Sequence, residues 1–193
     1  MLKRPIDPKL ISIRDLSEKD IPLILDYWYR SPPGYIDSMG VDSSKLQPEP
    51  VFEKTLQEKC RQNPDPKTSK LNALVIDYEN EPVGFHAINP VIEGNFGVFH
   101  AHLWKPELRG RGLAFHTYAM ACRLFLKRFN LNRILFKTPI QNAAAIRVKE
   151  KLGIRCIGQE TVTDFGIIKN GTLVQVFELT RKECEAPSHN FTM

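Results

Sequence analysis

Arg109-Gly110-Arg111-Gly112-Leu113-Ala114 is the segment on which the reading of the chain turns. It follows an apolar stretch ending at Trp104 and opens an amphipathic run over residues 111–128, so it reads as a strand-to-helix turn. A helix N-terminus presents backbone N–H groups without intrahelical acceptors and the positive end of the helix dipole. Glycine lets that backbone approach a phosphate without side-chain collision. Arg109 and Arg111 add fixed charge and bidentate donors suited to phosphate oxygens. The pattern is neither GxxxxGK[ST] nor GxGxxG followed by a ribose-binding acid, which disfavours a nucleotide triphosphatase or a Rossmann dehydrogenase.

Working outward, residues 96–104 (FGVFHAHLW) read as a strand before the turn, and 133–138 (RILFKT) as one after the helix. Together they make one parallel βαβ step. Upstream, 71–78 and 83–90 pair as a hairpin about the ENEP turn at 79–82, and 11–16 (ISIRDL) alternates as a half-buried strand. Ser17 and Asp20 form a capping-box signal before a helix carrying Ile21, Ile24, Leu25 and Trp28. A second helix covers 51–62, and the Pro-, Gly- and Ser-rich 31–50 is a long connection of the kind that builds lids and binding walls. Downstream come a helix at 142–152 and strands near 154–163 and 172–180, with Gly171 in their turn. The fold class is α/β (α+β), a mixed and mostly antiparallel sheet flanked by helices, in one domain over 10–182. Residues 1–9 and 183–193 read as loose tails.

At 193 residues with 42% apolar and 25% charged side chains, the chain has the makings of one globular domain rather than a disordered or fibrous protein. No apolar run approaches the ~20 residues that span a bilayer, and MLKRPIDPKL has no hydrophobic stretch of a signal peptide. Cys60, Cys122, Cys156 and Cys184 form no CxxC pair, so reduced thiols and a cytoplasmic location are expected, with Cys122 and Cys156 as small core residues. The net charge of +5 is small enough for a solvated surface to explain it.

Arg109-x-x-Gly112-x-Ala114 resembles the (Gln/Arg)-x-x-Gly-x-(Gly/Ala) signature of the GNAT (Gcn5-related) N-acetyltransferases. Asn142 to Gly153 resembles that family's Asn-x-x-(Ser/Ala)-x-x-x-x-Glu-Lys-x-Gly segment, closest to the ribosomal-protein N-terminal acetyltransferase branch. The resemblance implies a GNAT fold, a sheet splayed between the strands at 96–104 and 133–138, and acetyl-coenzyme A as cosubstrate without a metal. It assigns the pyrophosphate to the backbone of Arg109, Gly110, Arg111, Gly112, Leu113 and Ala114. Asn142 would contact the pantetheine arm or cofactor backbone, while Asn is also among the best helix caps. The thioester carbonyl would be polarised by a backbone amide at Leu103 or Trp104.

Acetyl transfer to an amine needs a proton acceptor, a hydrogen bond to the developing oxyanion and a departing thiolate. His100 and His102 lie two apart on one strand, so their side chains share a face. Imidazole titrates in the range a general base needs. His100 is the first candidate and His102 the second; His86 and Glu93 are further candidates. The pair suggests zinc only if a third ligand joins it, and no spacing supplies one. At position 149, where many family members carry a Tyr that protonates the thiolate, this chain has Lys149, which could stabilise the thiolate by charge but is expected to face solvent on an amphipathic helix, with water as the acid.

The acceptor wall would come from residues 26–60, with Tyr27, Trp28, Tyr29, Tyr35, Asp37, Asp42 and Glu49. The expected partner is an amine-bearing acceptor, a small molecule or a protein N-terminus, with no membrane; the protein would be a monomer or homodimer. The alternative is a catalytically silent acyl-CoA-binding sensor or interaction module. Nucleic acid, by way of Arg109, Arg111, Lys127, Arg128, Arg133 and Lys137, is disfavoured because a phosphate-binding groove needs the same residues.

Overall fold

The computed structural model describes residues 5–65, 67–163 and 166–186. His189 and the rest of 187–193 lie outside the described residues. The chain runs β1 (Ile11–Asp15), α1 (Ile21–Tyr29), α2 (Tyr35–Ser38), α3 (Glu49–Gln62), β2 (Ala73–Tyr78), β3 (Glu81–Ile92), β4 (Phe96–Leu103), α4 (Leu113–Arg128), β5 (Arg133–Pro139), α5 (Ala143–Lys151), β6 (Arg155–Thr161), β7 (Leu173–Thr180) and α6 (Arg181–Glu185). One seven-stranded sheet has the order β1-β2-β3-β4-β5-β7-β6. Every neighbour is antiparallel except β4 and β5.

The β4–β5 pairing is short. It joins Phe96, Gly97 and Val98 to Arg133, Ile134 and Leu135, and no register continues it to Leu103 and Pro139. The sheet therefore opens at its centre along the second half of β4. Apolar alternation fills both faces. On one, α4 and α5 cover Phe99, Phe136 and Phe177 with Phe125, Tyr118 and Leu152. On the other, α1 and α3 cover Val75 and Phe85 with Ile24, Leu25, Tyr27 and Leu56.

Local signals explain the element ends. Ser17 and Asp20 close a capping box on the single 3-10 turn before α1, with Ser17 N donating to Asp20 Oδ2 at 3.0 Å. The β2–β3 turn is tighter than 79–82, because Glu79 and Asn80 alone make it at φ 55° and 63°, the left-handed pair that matches strand twist. Asn142 caps α5, accepting from Ala145 N at 3.1 Å.

Three expectations need correction. Residues 5–10 are not loose: Ile6 is buried with Leu108 and Leu113, and its amide donates to Arg111 O at 3.1 Å. Residues 183–185 belong to α6, whose Thr180–Glu183 capping box and buried Cys184 dock it beneath α4. Cys156 is exposed, because β6 is the sheet edge and all seven of its residues face solvent. Among the described residues no helix is long and apolar enough to cross a membrane.

Candidate active site

The open half of β4 has a defined polarity. Trp104 N donates to Val83 O at 2.9 Å, so the even-numbered residues of β4 face β3 with their amides. In an antiparallel strand the alternate amides point the other way. Those of Ala101 and Leu103 therefore point into the gap that β5 leaves. This separates the two backbone candidates: Leu103 N is directed into the opening and Trp104 N is consumed in the sheet. Trp104 instead packs its ring 5.9 Å from Phe85, with its indole N–H sealed and unpaired.

The strand edge leads to the glycine turn. Gly110 and Gly112 adopt φ 75° and 94°, and a Cβ on either would meet no atom within 4 Å. Glycine is there for its left-handed backbone and leaves the surface clear for a ligand. The amides of Gly112, Leu113 and Ala114 have no acceptor among the described residues. The residues present thus fit a pyrophosphate at the start of α4. Arg109 behaves differently from its expected role. Its guanidinium lies 4.7 Å over the Tyr35 ring, donates to the Tyr35 hydroxyl and donates to Leu103 O at 3.1 Å. It ties the turn to the 31–50 connection and shapes the end of the β4 edge.

Both histidines of β4 face the α1 side, as their spacing predicts, in different settings. His100 Nε2 lies 2.7 Å from Asn89 O. A carbonyl only accepts, so that nitrogen holds the proton. His102 sits in an aromatic box: stacked on Phe85 at 4.5 Å, edge-on to Trp28 at 5.0 Å and to Tyr27 at 5.3 Å. Its Nδ1 is 3.0 Å from the Tyr27 hydroxyl, which donates to Met39 Sδ at 3.4 Å. A hydroxyl has one proton: where it goes to Met39 Sδ, the Tyr27 oxygen accepts from His102 Nδ1–H and the lone pair falls on Nε2; where it goes to His102 Nδ1, the ring proton sits on Nε2. Burial first, then the neighbouring His100 and His86, hold His102 well below the usual imidazole range. Burial lowers His100 too, against the pull of its Asn89 bond. Both are neutral at pH 7.

The further candidates do not join them. His86 points to the opposite face between Phe99 and Tyr118, with both ring nitrogens unpartnered. Glu93 is exposed at the far end of β3 and paired with Lys70 at 2.7 Å. Lys149 also overturns its expectation: it is buried rather than solvent-facing. A signal for this was present, because Ala145, Ile146, Lys149 and Leu152 fall on one helical stripe. Tyr27 was named only as a wall residue; its bond to His102, 75 positions away, has no local signature. Among the described residues no three His, Cys, Asp or Glu side chains converge on a metal position.

The wall over the site is pinned on both sides. Val41 bridges Ile168, and Asp42 N donates to Ile167 O at 2.7 Å. Its acids are engaged: Asp37 with Lys169 at 3.0 Å, Glu49 with Arg30 at 2.6 Å, and Asp42 with Ser44. The basic residues of the nucleic-acid alternative are dispersed in the same way, Arg128 on Asp15, Arg133 on Glu178 and Lys137 on Glu160.

A sheet opened beside one strand edge, leading to an anion-binding helix start, is the architecture of acyltransferases that draw their acyl group from coenzyme A. The sequence profile of the acetyltransferase (GNAT) family matches residues 41–154, and the chain belongs to that family. It is an acyltransferase. No curated protein matches its sequence significantly. Among solved structures it is similar to spermidine N-acetyltransferase from Vibrio cholerae in complex with CoA and spermine, at TM-score 0.70 and 16% identity over 92% of this chain and 99% of that one. It is also similar to ribosomal-protein-S5-alanine acetyltransferase from Vibrio fischeri, at TM-score 0.68 and 15% identity over 92% and 96%. Mycobacterium smegmatis RimJ in complex with CoA-disulfide matches at TM-score 0.69 and 14% identity over 94% and 86%.

Proposed function

We propose that the chain transfers the acetyl group of acetyl-coenzyme A to a single primary amine, on a protein N-terminus or a small monoamine, with His102 as the proton acceptor. The observation that carries this is the open β4 edge running from His102 to the glycine turn. The amides at the start of α4 hold the pyrophosphate, and Asn142 lies beside the pantetheine arm while capping α5. Leu103 N–H hydrogen-bonds the thioester carbonyl oxygen as charge develops on it. Nε2 of His102 takes the proton that the amine loses on attack, and Tyr27 keeps the tautomer that makes this nitrogen the acceptor. His100 is set back by its bond to Asn89 O.

The acceptor class follows from the wall. Asp37 and Glu49 already have counter-ions in Lys169 and Arg30, which leaves Asp42, held by the Ser44 hydroxyl, as the one of these three acids without an ion pair and so no row of charges for a polycation. The partly exposed rings of Trp28 and Trp104 suit an amine with an apolar neighbour.

The test is thiol release from acetyl-coenzyme A across polyamines, small monoamines and peptides with free N-termini. Peptides or monoamines are expected to turn over faster than spermidine. Spermidine as the best acceptor would overturn the acceptor class, and coenzyme A binding without turnover of any amine would overturn the enzyme in favour of a sensor. His102→Gln is expected to lower kcat by about 10²–10⁴-fold with unchanged cosubstrate affinity. An equal or larger loss in His100→Gln alone would move the base there.

A further inference from the structure

The hydroxyl of Tyr27 carries one proton and meets two acceptors. Met39 Sδ lies 3.4 Å from its oxygen and His102 Nδ1 lies 3.0 Å from it. Packing fixes both ends of this chain of contacts. Tyr27 is 5% exposed on α1, its ring edge-on to those of Phe85 and Tyr35 at 6.1 Å. Its carbonyl accepts from Ser31 Oγ at 2.6 Å. Met39 closes α2, its amide bonded to Ile36 O at 3.1 Å, and the buried Ile36 and Val41 seat the segment before and after it.

Two proton arrangements are open to this trio. In one, the phenol donates to Nδ1, the sulfur has no donor and the ring proton sits on Nε2. In the other, the phenol donates to sulfur, its oxygen accepts from Nδ1–H and Nε2 is bare. Only the second turns both contacts into hydrogen bonds. The rest of the box gives the phenol no substitute for the sulfur: Phe85 presents a ring face, Trp28 an N–H that only donates, and the Tyr35 hydroxyl accepts from Arg109. We propose that Met39 is the positioning residue of the base. Its thioether takes the Tyr27 proton, and the phenol oxygen thereby holds His102 Nδ1–H and leaves the Nε2 lone pair free to accept the proton of the amine. The effect on turnover rests on the acetyl-transfer reading above, whereas the place of the ring proton is a property of the free protein.

The experiment reads that proton directly, by nitrogen NMR of protein carrying isotope-labelled histidine, in which each ring nitrogen shows whether it is protonated. The His102 signals are those missing from His102→Gln. In the unaltered chain at pH 7 the proton is expected on Nδ1. Met39→Leu keeps the volume and removes the acceptor, so the proton is expected to move to Nε2. With it kcat is expected to fall at least about tenfold, out of the ~10²–10⁴-fold that a general base supplies, at unchanged KM for acetyl-coenzyme A. Met39→Ala serves the same comparison if the leucine variant does not fold. Met39→Gln offers an amide oxygen in place of the sulfur and is expected to return the proton to Nδ1 and kcat to within about threefold of the unaltered chain. A ring proton on Nε2 in the unaltered chain, or one that stays on Nδ1 in Met39→Leu, overturns the inference; a fall in kcat with the proton still on Nδ1 means that the variant has only disturbed the wall. A proton that moves without loss of kcat overturns it as well, and takes His102 out of the proton transfer. An unaltered chain that turns over no amine overturns the acetyl-transfer reading, and the ring spectra then decide the inference by themselves.

Discussion

Burial drives the amine of Lys149 down to about 7 and the imidazole of His86 down to about 3, through desolvation in each case. Both shifts disfavour the charged form, so between the folded and unfolded values the unfolded chain holds the extra proton. Stability therefore rises with pH across both windows, from about 3 to 6.5 for His86 and from about 7 to 10.5 for Lys149. Lys149→Met removes the penalty, and methionine follows the same volume without a charge. The variant is expected to be more stable at pH 7, by a gain on the order of a few kcal/mol, or several degrees in Tm for a domain of this size. The gain should shrink as melts are repeated toward pH 10; an unchanged Tm at pH 7 would mean that the ammonium keeps its water. His86 is simpler. It is 1% exposed, both nitrogens lack partners, and the reaction proposed for the other face of the sheet does not use it. His86→Leu is expected to shift the acid-unfolding midpoint to lower pH, and a midpoint that does not move would place the acid sensitivity in other groups.

The N-termini of α4 and α5 show how far an element's role can be separated from its stability. Gly112 sits at φ 94° with open space around its missing Cβ, so Gly112→Val strains the backbone by about 1–3 kcal/mol without a clash in the free protein. Calorimetry is expected to show at least about a tenfold loss of coenzyme A affinity from a branched side chain standing where the backbone must meet phosphate. Unchanged affinity would remove this turn from the ligand. Asn142 is both cap and candidate contact. Asn142→Ala should cost about 1 kcal/mol of stability, whereas Asn142→Ser keeps a capping oxygen; affinity lost in the serine variant marks a contact beyond the cap. At this scale the sequence was most legible. The period-2 run 11–16, the Asn142 cap and the Arg109–Ala114 turn announce their elements because those signals are local. What it hid was partnership. That Cys156 lies on an unpaired edge, that α6 docks under α4, and that Arg109 turns to Tyr35 are set by contacts between distant segments. Lys149 was concealed differently, since residue type suggested solvent while its position on the apolar stripe dictated burial.

Over the whole molecule, the decisive feature is a sheet that is continuous across seven strands and yet open along half of its centre. A buried unpaired N–H is costly, so amides of a central strand persist unpaired only where water or a ligand reaches them. The register makes this selective. Trp104 N, bonded to Val83 O at 2.9 Å, belongs to the closed side; Ala101 and Leu103 belong to the open one. In the free protein, hydrogen exchange is expected to be slow at Trp104 and fast at Ala101 and Leu103, although all three lie within four residues of the same β-rich core. Acetyl-coenzyme A should slow Leu103 by an order of magnitude or more, because that amide gains an acceptor, and leave Trp104 nearly unchanged. The Arg109–Tyr35 tie predicts a second, smaller protection in the 31–50 connection, transmitted when the turn is occupied. Protection confined to the glycine turn would leave the pyrophosphate site standing and show that the acyl end does not lie along β4, which would remove Leu103 and His102 from the reaction at once.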